Sequence, residues 1–163
     1  MCWIVGITSD APDIADDLAG ALDGNKHRGT DSVGALMYYR NILDSVVRRR
    51  KVDDRALQQV RLMWPPSDQI GSTIGFGHTR YVTSGTHNPH NSQPFKVGDN
   101  DFQLELLFNG NIPWHEMIRR DEMPWYTFQT LGDTETLARF TLHHIMQTLR
   151  APGQGEVRQA IRE

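Results

Sequence analysis

Residues Cys2–Thr8, CWIVGIT, form an apolar run rich in β-branched side chains, and it begins at the second position of the chain. Such a run reads as a buried strand, so the fold is committed to a sheet from its first residues. The run also carries the only cysteine, Cys2. A lone cysteine with apolar neighbours is ordinarily a small buried hydrophobe. Its position opens another reading. Initiator methionine is commonly removed before a small second residue, and removal of Met1 would leave one residue with both a thiol and a free α-amine. An α-amine has an ordinary pKa of about 7.7–8.0, so part of it is neutral near pH 7. It can take the proton of the adjacent thiol, directly or through water, and no distant histidine is needed.

The pattern after this strand alternates helices and strands. In APDIADDLAGALDG, Ile14, Leu18 and Leu22 recur at helical spacing, Pro12 and Asp13 suit a first turn, and Gly24 suits a stop. NKHRGTDS is a polar loop, and Ser32–Arg40 reads as a second strand. ILDSVVRRRKV is compatible with strand or helix. Asp53–Trp64 reads as a helix ended by Pro65 and Pro66. Ser72–Arg80 is a glycine-containing strand, which suggests close approach of backbone or ligand. YVTSGTHNPHNSQPF is a long polar loop, Phe102–Phe108 a further strand, and PWHEMIRR a short helix. Asp133–Arg150 is the clearest helix: Leu137, Phe140, Leu142, Ile145 and Leu149 share most of one face, and Asp133 and Thr134 favour its start. Chemistry is expected in the polar loops at the strand ends.

Length and composition bound the rest. A chain of 163 residues suits one domain with a real core, expected over residues 1–150, with 151–163 a short polar tail. The net charge of −3 gives no global signal for nucleic acid. The run RRRK at Arg48–Lys51 is an ordinary solvated surface segment or a local partner contact. One cysteine makes neither an internal disulfide nor a cysteine zinc site, which fits a reducing cytoplasm. No signal peptide and no membrane-spanning apolar stretch are read. The histidines His27, His78, His87, His90, His143 and His144 follow no zinc spacing, so no metal is expected. His143 and His144 suit a helix surface or packing, and Trp114, Trp125 and the methionines suit the core.

Several polar blocks have a plain reading one at a time. KHRGTDSVGA is a basic turn before a strand, Arg80 in GFGHTRYVTSG a surface cation, Asn109-Gly110 in LLFNGNI a turn dipeptide, and Asp133 in LGDTETLAR a helix cap. Taken together and in order, MCWIVGI, HRGTDSVG, GHTRYVTSG, NSQPF, FNGNI and GDTETL resemble the successive blocks of the class II glutamine amidotransferase domain. The glutaminase domains of amidophosphoribosyltransferase and glucosamine-6-phosphate synthase belong to that family. The resemblance runs from Cys2 to about Leu137.

The resemblance implies an α+β fold: the Ntn-hydrolase-like αββα sandwich, antiparallel sheets flanked by helices, here incomplete in its C-terminal part. It implies a glutaminase that needs no cofactor and has L-glutamine as substrate. Cys2 would attack the side-chain amide carbon. The Asn109 side chain and the Gly110 backbone N–H would hold the oxyanion. Arg80, with Thr83 in the same loop, would bind the substrate α-carboxylate, and Asp133 the α-ammonium. Arg28 and Gly29 would line the site near the nucleophile. Holding the charged head delivers the amide to the thiol, which is catalysis by positioning.

Two features depart from the family pattern. Trp3 stands where many members have glycine after the cysteine, and the chain ends soon after the helix that follows GDTETL. The expected partner is therefore a separate synthase or a completing subunit, with no membrane and no nucleic acid involved. The alternatives are one part of a split enzyme, or an inactive amidotransferase-like module with a binding or regulatory role.

Overall fold

The structure is a computed structural model that describes residues 2–9, 14–39, 42–48, 58, 74–81, 89–98 and 102–150. Thr83 and its loop through residue 88, residues 49–51 of the basic run, the segment read as helix over Asp53–Trp64 apart from Gln58, and the tail 151–163 lie outside the described residues.

Four strands form one antiparallel sheet. They are β1 (Trp3–Thr8), β2 (Ser32–Tyr39), β3 (Ile42–Arg48) and β4 (Ile74–Arg80), in the order β1-β4-β2-β3. The segment compatible with either helix or strand is β3. It pairs along its whole length with β2, from Tyr39 opposite Ile42 to Val33 opposite Arg48. Tertiary pairing decided what its local pattern left open.

Alternation along the strands gives the sheet two unlike faces. Val5, Ile7, Val33, Ala35 and Met37 face α1 (Ala15–Gly24) and pack with Ile14, Leu18 and Leu22. The buried residues of α1, Ala15, Leu18, Ala19 and Leu22, follow the spacing of a single helical stripe. Full burial of Leu18 and Leu22 stabilises the layer by about 1.5–3 kcal/mol each. Helix and strand touch closely: a Cβ on Gly77 would lie 2.8 Å from Leu22 Cδ2. The glycine spacing of β4 lets α1 sit directly on the sheet.

The second sheet, as described, is a hairpin of β5 (Phe95–Gly98) and β6 (Gln103–Leu106). Its residues Phe95, Val97, Leu104 and Leu106 pack against Ala138 and Leu142 of α3 (Asp133–Arg150). The layers therefore run α1, first sheet, second sheet, α3, an α+β arrangement of antiparallel sheets. The short helix α2 (His115–Glu122) leans on α3. β5 lies at the end of the segment read as polar loop. Four residues are too few to show a strand period, and its partner makes it a strand.

Two expectations about the core are corrected. Trp114 and Trp125 are 59% and 64% exposed. They flank α2, a helix with no buried residue, so neither meets a core. On α3 the stripe meets the hairpin through Leu142, half-buried beside the fully buried Ala138. Among the described residues no helix is long and apolar enough to cross a membrane.

Candidate active site

β1 starts, β4 ends and β2 starts at one edge of the four-stranded sheet, as the pairing of Trp3 with Thr79 and of Arg80 with Ser32 requires. The Asp31 N–H donates to the Arg80 carbonyl at 2.9 Å and pins this corner. On the face away from α1, β4 presents His78 and Arg80. A cleft opens there, lined by Cys2, Arg80, Tyr81, Asn91, Gln93, Phe108, Gly110, Gly132, Asp133 and Thr134. Four residues singled out in the sequence, Cys2, Arg80, Gly110 and Asp133, thus meet in one cleft, although they are up to 131 positions apart in the chain.

The Cys2 thiol is half-buried and donates to the Tyr81 carbonyl at 3.5 Å. Arg80 is buried. Burial lowers its guanidinium pKa, and the nearby charges of Cys2, Asp31 and Asp133 act the other way. A cation and a carboxylate therefore flank the thiol, each within electrostatic reach of the other. His78 lies beneath Arg80, fully buried. Burial first, then the Arg80 charge, lower its pKa to about 4, against a smaller raising effect of the Phe108 backbone. Neither ring nitrogen reaches full hydrogen-bond geometry with a described group. At neutral pH His78 is an uncharged buried neighbour of Arg80, behind the cleft lining.

The Asn109-Gly110 turn follows β6 and is tied down on both sides. Before it, the Phe108 N–H donates to Gln93 Oε1 at 2.5 Å. After it, the Ile112 N–H donates to Asp133 Oδ2 at 3.0 Å. The Gln93 side chain also donates from Nε2 to Thr134 Oγ1 at 3.2 Å. The start of α3 thus holds the turn twice, once directly and once through Gln93.

Two ionic residues in turn fix the start of α3. Glu135 is fully buried. Its carboxylate accepts from the backbone N–H groups of Gln129 at 3.0 Å and Thr130 at 2.6 Å, and from Arg139 Nε at 2.8 Å. Burial would raise its pKa, but these donors override burial and hold it below the ordinary carboxylate value. Arg119 of α2 donates to the carbonyls of Thr130 at 2.7 Å and Gly132 at 2.6 Å, and to Thr136 Oγ1 at 2.6 Å. Asp133 is therefore presented by a turn whose backbone is held from both sides.

The remaining sequence candidates sit apart from the cleft lining. Asn109 is exposed and is not among the lining residues, whereas its neighbour Gly110 is. Arg28 is exposed and stacks over the Trp3 ring at 4.8 Å. Gly29 is buried against the backbone of Thr79 and Arg80, where a Cβ would lie 2.5 Å from the Thr79 carbonyl carbon. It supports Arg80 from behind. Trp3 pairs with Thr79 on the α1 side of the sheet. Its bulk therefore points away from the cleft, which is how the site accommodates the departure from glycine. Sequence reasoning gave no role to Tyr81, Asn91, Gln93 or Phe108, although NSQPF contains two of them, and it read Thr134 only as favouring the start of its helix.

Comparison with known proteins agrees with this architecture. No family model matches the chain. It is 33% identical over 166 residues to the glutamine–fructose-6-phosphate aminotransferase (isomerizing) of Idiomarina loihiensis, an alignment covering 98% of this chain and 25% of that protein. It is 31% identical over 146 residues to the enzyme of the same name from Bordetella pertussis, covering 88% and 23%. The chain thus spans about a quarter of the length of these curated relatives. Among solved structures, it superposes on the glutamine phosphoribosylpyrophosphate amidotransferase of B. subtilis with a TM-score of 0.64 at 20% identity, covering 99% of this chain and 33% of that one. An allosteric regulatory enzyme of purine biosynthesis gives 0.66 at 21%, with the same coverage. Fold and sequence agree: over most of its length the chain is similar to part of the glutamine–fructose-6-phosphate aminotransferases, and it has the Ntn-hydrolase fold of the amidotransferases on which it superposes, as the resemblance to class II glutamine amidotransferase domains implies.

Proposed function

We propose that this chain hydrolyses the side-chain amide of L-glutamine and releases ammonia through a thioester on Cys2. One observation carries the reading: Cys2, Arg80, Gly110 and Asp133 line a single cleft. Arg80 offers directional donors to the substrate α-carboxylate, and Asp133 accepts from the α-ammonium. Thr83 assists Arg80, and Arg28 and Gly29 support the corner near the nucleophile. With the head held at two opposite charges, the amide carbon is delivered to the thiol.

The steps balance as follows. Removal of Met1 frees the Cys2 α-amine, which takes the thiol proton. The thiolate adds to the amide carbon. The resulting oxyanion is held by the Gly110 N–H and the Asn109 side-chain amide; Asn109 turns inward from its exposed position when substrate is bound. The α-ammonium returns the proton to the leaving nitrogen as the C–N bond breaks, and ammonia departs. Water, deprotonated by the same amine, then hydrolyses the thioester to glutamate. We further propose that the ammonia passes to an acceptor handled by a synthase outside residues 1–150.

The test is glutamate release from glutamine, with intact-mass analysis to confirm the loss of Met1. Cys2→Ser is expected to lower turnover by about 10³-fold or more without lowering thermal stability. A glutamine-mimicking electrophile is expected to add its mass to Cys2. Retention of Met1 in the active protein, or wild-type turnover in Cys2→Ser, would overturn the proposal.

A further inference from the structure

We infer that Gln93 is a positioning residue for this reaction, setting the Asn109-Gly110 turn against the start of α3. The inference rests on the amidotransferase reading of the cleft. Gln93 is 4% exposed, lines the cleft and touches neither end of the ligand in the scheme above. Its side chain bridges two elements, accepting from the Phe108 N–H and donating to the Thr134 hydroxyl. The Phe108 N–H can only donate, so it fixes which end of the amide faces it and leaves the NH₂ group for Thr134. A carboxamide of this reach offers an acceptor and a donor on one rigid plane.

The backbone of Gln93 is fixed independently. β2 approaches it so closely that a Cβ on Gly34 would lie 1.8 Å from the Gln93 carbonyl oxygen. Gly34 stands opposite His78 in the sheet that also carries Cys2 and Arg80. Gln93 is thus anchored to the element that presents the nucleophile. From there it reaches both the turn that offers the oxyanion donors and the helix that offers Asp133. Losing its side chain would leave the half-buried Phe108 N–H without this acceptor and free the turn on that side. Asp133 would keep its own bond to Ile112, and Arg80 would be untouched. The effect should therefore fall on transition-state stabilisation and leave recognition of the amino-acid head largely intact.

The experiment compares Gln93→Met, Gln93→Glu and Thr134→Val in the full chain by steady-state glutamate release, alongside amide hydrogen exchange. Gln93→Met is expected to lower kcat about 10- to 100-fold with KM within about twofold, a smaller loss than removal of an oxyanion donor itself. Gln93→Glu keeps an acceptor for Phe108, and the Thr134 hydroxyl can turn to donate to it, so most of kcat should return. Thr134→Val keeps the Phe108 bond and is expected to give a smaller drop in kcat. In Gln93→Met, exchange at Phe108 is expected to rise at least tenfold while Leu18 and Ala35 keep wild-type protection. Wild-type kcat in Gln93→Met, a change in KM alone, or exchange that is unchanged at Phe108 or raised equally in the α1 core would overturn the inference. If wild-type protein releases no glutamate, the amidotransferase reading fails, and the exchange pattern still decides whether Gln93 holds the turn.

Discussion

The two faces of β4 show how one strand serves two kinds of order. Toward α1 it presents Gly75, Gly77 and Thr79, and the layer above is apolar: Ile14, Leu18, Leu22, Val33, Ala35 and Met37. Toward the cleft the same strand presents Phe76, His78 and Arg80, and the end near Cys2 is surrounded by buried polar groups: Gln93, Asp133, Thr134 and Glu135. The first face is held by excluded water, a force without direction. The second is held by hydrogen bonds of fixed geometry, which cost stability when one partner is lost but define positions more sharply. The proposed alignment of a thiol with an amide needs the second kind of order, and the first keeps the strand in place beneath it.

Damage confined to one face should therefore differ in kind from damage to the other. The largest expected effect is on the apolar side. Leu18→Ala should cost about 2–5 kcal/mol of stability, read as a lower urea midpoint. At a temperature where the variant is still folded, modification of Cys2 by a glutamine-mimicking electrophile should proceed at the wild-type rate. A slowed reaction there would show that the faces are coupled.

The next effect belongs to the polar side and depends on pH. His78 has a folded pKa of about 4, against 6.5 as its ordinary value. Between these values the unfolded chain binds the proton and the folded one does not, so stability falls as pH drops from 6.5 toward 4. The loss is roughly 3 kcal/mol over that window and does not increase below it. Urea unfolding at several pH values should show this slope, and His78→Gln should flatten it.

The smallest effect sharpens the boundary between structure and site. Arg28 stacks on Trp3 on the α1 side. Arg28→Ala should cost about 0.5–1 kcal/mol, the scale of an exposed cation–aromatic pair, with KM for glutamine unchanged. A raised KM would assign Arg28 to the substrate.

Much of the fold was readable where periodicity is strong. β1, α1, β2, β4 and α3 follow from apolar spacing, with ends that differ by a few residues. β3 and β5 were not readable, because pairing with β2 and β6 rather than composition makes them strands. The candidate site was readable in part for a different reason. Cys2, Arg80, Gly110 and Asp133 stand in short blocks whose order resembles a known family, and the fold brings them to one cleft. Gln93, Glu135 and Arg119 were not assigned, because they act on backbone groups and on neighbouring polar side chains. A side chain that bonds to a distant N–H leaves no periodic mark in the sequence. Trp114 and Trp125 were misplaced because hydrophobic character alone does not say whether a neighbouring element has a core to offer.

The bond between Asp133 and the Ile112 N–H uses only groups of the chain itself. In the proposed scheme its carboxylate is thus already oriented when a cationic amino group meets it, and less rotamer entropy remains to be lost there. Recognition at this end of the cleft resembles fitting into a set mould more than the closing of a hand.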